Sequence, residues 1–222
     1  MSMSRLILWG GLFGLLIAGC MGARTVARTD KEEPEEPGKV SLSEIQQVSG
    51  TDQEPYLVHL ETSKGNIVIE VHPEWAPRGA KRFRELVEAG FYDECRFFRI
   101  VEGFMAQVGM NGDPDFNAQW RKKKLRDDPV IQSNKPGFVT FAKTNDPDSR
   151  TTQFFINYGN NSALDRQGFA PFGKIIEGMD VAESLYSRYG EEPKQDRIEK
   201  KGNAYLKSEF PKLDYIVKAT IE

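Results

Sequence analysis

Three polar side chains stand inside strand-forming aromatic sequence. Arg99 follows Phe97-Phe98 and precedes Ile100-Val101, Gln107 ends Phe104-Met105-Ala106, and Gln153 opens Phe154-Phe155-Ile156. A strand's period of two puts Phe97, Arg99 and Val101 on one face. A guanidinium among apolar neighbours is costly to desolvate without a partner, and its chemistry is hydrogen-bond donation by a group that keeps its proton. Two readings are open. Either the three polar groups converge on one apolar pocket, or Arg99 is an edge residue reaching water and the glutamines are satisfied core polars. Other chemistries have poorer candidates. His59 lies on an alternating strand run and His72 precedes Pro73, contexts that suit structure or surface. Cys95 has no nearby histidine to activate it and reads as an inert thiol. Two cysteines and two histidines fall short of the about four ligands of a structural zinc site. No metal and no cofactor is expected.

The elements that must hold these residues are mostly strands. Tyr56–Glu61 and Asn66–Val71 alternate apolar and polar positions around a Gly-containing turn, the pattern of a β-hairpin. Pro77 opens a helix carrying Phe83, Leu86 and Val87 at helical spacing, and Gly90 stops it. Further strands are predicted over 96–101, 104–109, 137–143, 153–158, 171–176 and 215–221, with a second helix over 180–188. Many strands and few helices predict a closed antiparallel barrel, since closure removes free edges. The net charge of −3 argues against a dedicated nucleic-acid binder. The basic run Trp120–Arg126 then reads as a solvated loop face balanced by Asp127 and Asp128. A monomer is the expected state.

Residues 6–19 form an apolar run behind Arg5. That is too short for the about 20 residues of a membrane span and the right length for a signal-peptide core. It ends in Ile17-Ala18-Gly19-Cys20, which resembles a bacterial lipobox. The expectation is a lipoprotein signal peptide at 1–19, a lipidated Cys20, a charged Pro-containing linker over 20–55, and a folded domain over 56–222. The lipid would anchor the protein to a membrane of the bacterial cell envelope, facing the periplasm or the exterior.

Several segments of that domain carry a family resemblance. Arg96-Phe-Phe-Arg-Ile-Val-Glu-Gly-Phe-Met-Ala-Gln107, Thr140-Phe-Ala142 with Thr152-Gln-Phe-Phe-Ile156, and Leu164-Asp165 with Phe172–Asp180 resemble, in order and spacing, the signatures of the cyclophilin-type peptidyl-prolyl cis-trans isomerases. The resemblance implies an eight-stranded antiparallel barrel capped by two α-helices, mainly β. It implies Arg99 as the catalytic arginine, and Phe104, Met105, Phe155 and Leu164 as the pocket for the substrate proline. Gln107 and Ala142 fall on peptide-contacting positions, and Gln153 and Phe169 lie beside the pocket. The partners implied are proline-containing unfolded or partly folded polypeptides. A non-catalytic module that only binds such segments is the alternative. The chain departs from the family pattern at Phe98 (usually His), at Val108 and Met110 (within a usual Gly-Gly-Asp), and at Phe169 (near a usual His). Ala163 stands where a tryptophan is common, which implies weak cyclosporin binding. The segment 189–213 is longer and more charged than the usual link to the last strand and reads as a surface insertion.

Overall fold

The computed structural model describes residues 54–222. The expected signal peptide, Cys20 and nearly all of the expected linker lie outside the described residues. The chain enters through β1 (Tyr56–Thr62) and turns into β2 (Gly65–Val71), paired antiparallel from Tyr56↔Val71 to Thr62↔Gly65. This is the predicted hairpin, and its inward residues Val58, Leu60, Ile67, Ile69 and Val71 are fully buried. Helix α1 (Pro77–Glu88) follows with Pro in its first turn, where a missing N–H costs nothing. It buries Phe83, Leu86 and Val87. The Phe83 ring meets Phe154 edge-on at 5.3 Å and Phe172 at 4.8 Å. Each such ring contributes roughly 1.5–3 kcal/mol through burial.

The remaining strands are β3 (Arg99–Val101), β4 (Met105–Val108), β5 (Phe138–Phe141), β6 (Phe154–Asn157), β7 (Pro171–Glu177) and β8 (Ile216–Ile221). All eight form one antiparallel sheet in the order β3-β4-β6-β5-β7-β2-β1-β8. The expected closed barrel is corrected here: the sheet is a curled half-barrel whose edge strands β3 and β8 share no ladder. They approach at a single bridge, Arg96 to Tyr215, beside the Phe97 N–H to Asp214 C=O bond of 3.0 Å. After Glu94, at a φ of 60°, the chain meets the lead-in to β8 only through these few contacts, and regular pairing begins at Arg99 on β4. The expected strand over 96–101 is therefore three residues long. Phe97 joins the main core while Arg99 faces outward and half-buried, so the two do not share a face.

The helix expected over 180–188 is only α3 (Met179–Glu183). Beyond it Tyr186 N–H donates to the Asp214 carboxylate at 2.8 Å, drawing the chain off helical geometry. Two helices were unforeseen. α2 (Pro114–Arg121) lies in the segment before the basic run, capped by Asp113 accepting from Asp115 N–H at 2.9 Å. α4 (Gln195–Glu209) lies in the insertion, broken at Gly202. There the φ of 52° and the approach to Gly112 C=O leave no room for a Cβ, and Asn203 N–H bonds that same carbonyl at 2.9 Å. α4 covers a second apolar cluster of Phe98, Met110, Ile198, Tyr205, Leu206, Phe210 and Leu213, apart from the main core. The acids after the basic run are not a solvated counterweight. Asp128 is buried, accepts from the N–H groups of Arg78 and Gly79 at the start of α1, and pairs with the buried Arg150 at 3.0 Å. Asp127 pairs with Lys143 at 2.9 Å.

Candidate active site

Sheet register alone aligns the polar and aromatic residues. Arg99 on β3 lies directly opposite Gln107 on β4, Gln107 opposite Phe155 on β6, and Phe155 opposite Thr140 on β5. Residues so paired have neighbouring side chains on one face. The guanidinium Nη1 donates to Gln107 Oε1 at 3.1 Å, and Gln107 Nε2 donates to Gln153 Oε1 at 2.8 Å. Arg99 also stands 5.9 Å from the centre of the Phe104 ring. These residues surround a cavity of about 220 Å³ lined by Arg99, Phe104, Met105, Gln107, Ala142, Phe155, Leu164 and Phe169, with Lys143 and Gln195. Every residue expected at the site except Gln153 lines this hollow. Gln153 lines the adjoining cavity of about 390 Å³, which shares Gln107, Ala142, Lys143 and Gln195. The smaller cavity is the one with aromatic walls, from Phe104, Phe155 and Phe169. The larger reaches the charged Arg121, Lys124, Asp146 and Glu199.

The far wall is held by a buried amide. Leu164 rides on a 3₁₀ turn (Ser162–Gln167), and Phe169 follows it, its ring edge-on to Phe155 at 5.9 Å. Asn134, fully buried, donates to Asp165 Oδ1 at 2.7 Å and to Phe169 C=O at 2.9 Å, and accepts from Thr140 Oγ1 at 2.8 Å. This bonds the turn to β5. Burial alone would raise the Asp165 carboxyl, but hydrogen bonds from Ser133 and Asn134 outweigh it and hold the group below its ordinary value. Phe104 C=O accepts from Tyr158 N–H at 2.9 Å and Asn161 Nδ2 at 2.8 Å, fixing the opposite lip. The Ala142 N–H is spent on Gln153 C=O at 2.8 Å, so that donor is not free for a bound peptide.

The insertion also reaches the site, where sequence reasoning placed only surface. Glu191 Oε1 lies 2.6 Å from Arg99 Nε and 2.5 Å from Nη2. Gln195 lines both cavities, and its Oε1 accepts from Gln153 Nε2 at 3.2 Å. Nothing in a charged linker marks such residues, because their contacts reach 92 and 42 positions back along the chain. Lys143 was within reach of the same reasoning, as the residue after Ala142. The other reactive groups stand elsewhere. Cys95 is fully buried, its S–H directed to Phe91 C=O, and burial pushes the thiol far above its ordinary value. His59 pairs with Glu222 at 2.7 Å. His72 lies between Glu70 and Glu74 and stacks on Trp75 at 3.8 Å.

Comparison with known proteins identifies the family. A family model described as cyclophilin type peptidyl-prolyl cis-trans isomerase/CLD matches residues 57–203. Peptidyl-prolyl cis-trans isomerase A of Dickeya dadantii is 37% identical over 138 residues, spanning 58% of this chain and 70% of that protein. A peptidyl-prolyl cis-trans isomerase of Acinetobacter baylyi is 35% identical over 156 residues, covering 63% and 80%. The crystal structure of the cyclophilin AquaCyp293 from Hirschia baltica superposes with a TM-score of 0.53 at 26% identity, covering 77% of each chain. On that family match and these relatives, the chain belongs to the cyclophilin-type peptidyl-prolyl cis-trans isomerase family.

Proposed function

We propose that this protein isomerises X-Pro peptide bonds in unfolded or partly folded exported polypeptides, in the bacterial cell envelope, held to a membrane by a lipid on Cys20. The observation that carries the reading is the guanidinium of Arg99 at the mouth of the hollow walled by Phe104, Met105, Phe155, Leu164 and Phe169. An X-Pro bond resists rotation by ~18–20 kcal/mol of amide resonance. At the twisted transition state that resonance is lost, and the prolyl nitrogen becomes pyramidal with a lone pair that accepts a hydrogen bond. A fixed donor aimed at that nitrogen favours the twisted form over either planar isomer, which is how binding becomes catalysis. The hollow holds the ring while the preceding carbonyl turns, and Gln107 orients both Arg99 and the peptide. Arg99 is the catalytic residue in this reading. Gln153 supports Gln107 from the second cavity, which receives the neighbouring residues of the peptide.

The test is turnover of a proline-containing peptide by the full chain. Arg99→Ala should lower kcat/KM by about 10²–10³-fold, the cost of removing one preorganised donor. Equal, slow rates for both proteins with peptide still bound would replace the enzyme by a binding module. For the location, Cys20→Ala should move the protein from the membrane to the soluble fraction, and a variant that stays with the membrane refutes the anchor.

A further inference from the structure

We propose that Glu191, from the segment between α3 and α4, is a positioning residue for Arg99. This rests on the isomerase reading above. Arg99 has five N–H donors in a rigid fork. Its Nε and Nη2 edge faces Glu191 Oε1 at 2.6 and 2.5 Å, and Nη1 donates one hydrogen to Gln107 Oε1 at 3.1 Å. The second Nη1 hydrogen faces only the weak acceptor Met105 Sδ at 3.8 Å, so it and one Nη2 hydrogen can turn to a substrate. A carboxylate on the back edge thus fixes the plane of the guanidinium and directs its open side to the cavity.

The carboxylate is delivered by backbone, not by chance of a long side chain. Ile100 N–H, next to Arg99, bonds Gly190 C=O at 3.2 Å, so the turn holding Glu191 is tied to the strand that holds Arg99. Gly190 permits that turn with a φ of 50°, its N–H closing on Ser187 C=O at 2.8 Å. Ser187 Oγ donates to Glu102 at 2.6 Å, and Tyr189 packs on Phe210 at 5.1 Å, fastening both flanks. Four residues on, Gln195 accepts from Gln153. One segment therefore grips both ends of the run Arg99-Gln107-Gln153. Glu191 is itself largely exposed, so its removal leaves no buried group unpaired, and the fold does not depend on it.

The experiment measures kcat and KM of the full chain, the variants E191A and E191Q, R99A, and the double variant E191A/R99A on one proline-containing peptide. We expect E191A to lower kcat roughly three- to tenfold with KM little changed. That is well short of the ~10²-fold that a 1 Å misplacement can cost. E191Q, which keeps an oxygen acceptor, should recover part of the loss. Adding E191A to R99A should cost nothing more, because Glu191 acts through the guanidinium. E209Q, which removes a pair with Arg197 at the far end of α4, should match wild type. The proposal is overturned if E191A equals or exceeds wild type while R99A is slow, or if E191A slows R99A further. If wild type and R99A turn over alike, the isomerase reading falls and takes the proposal with it.

Discussion

The two apolar clusters of this domain are built differently and govern different walls of the site. The main core is the interior of the half-barrel, where Phe83, Phe141, Phe154 and Phe172 are sealed between the sheet and α1. Its residues alternate along strands, so each inward ring fixes the outward side chain beside it, and Gln107 and Phe155 are placed by register. The second cluster lies outside the sheet, under α4. It holds Phe98 and Met110, two of the positions where the chain departs from its family's signatures. Both are buried against the insertion, at 1% and 3% exposure. Phe98 immediately precedes β3 and Met110 follows β4, and α4 covers both. One wall of the site follows from strand geometry, the other from a segment docked on it.

Three measurements press on this contrast, beginning with the largest effect. Phe83→Ala should destabilise the domain by about 3–5 kcal/mol, the usual cost of emptying a sealed aromatic site, seen as a lower denaturant midpoint at constant slope. Leu206→Ala, in the second cluster, should cost about 2 kcal/mol, the low end for such truncations because the site lies near solvent and can collapse. Amides of 195–209 should then exchange faster while those of β2 and β7 keep their protection. A variant that unfolds everything at once would make the two clusters a single cooperative unit. The smallest effect concerns the far wall, on the 3₁₀ turn. Asp165 has a lowered value in the folded state, so it contributes stability above its unfolded value of about 3.9 and loses that contribution as pH falls through the folded value. The difference between wild type and Asp165→Asn in urea unfolding should shrink between pH 7 and pH 3. A constant difference would mean that the Ser133 and Asn134 bonds do not favour the charged form.

What could be read from the sequence follows the same division. The hairpin, α1 and the strand-borne residues Arg99, Gln107 and Phe155 were legible because their positions depend on periodicity over a few neighbours. The length of β3 was not, because Phe97 and Phe98 are buried in two different clusters instead of alternating across the sheet, which no local pattern announces. Helix α2 had a signal that went unused: Asp113 followed by Pro114 is a cap and first-turn pair. Glu191 and Gln195 had none. In a run as charged as 191–201 they look like solvated surface; the Ile100–Gly190 backbone bond brings Glu191 to Arg99, and the docking of α4 through Gly202 and Asn203 brings Gln195 to the cavity.

The partnership of β1 with β8 has a consequence for how the domain is made. Val58 pairs with Ile221 and Leu60 with Ala219, so the strand synthesised first waits with one bare edge for the strand synthesised last. Until β8 is made and pairs, that edge offers main-chain groups to any passing polypeptide. Biogenesis of this domain is therefore most exposed to misassembly in the interval before its final residues are released.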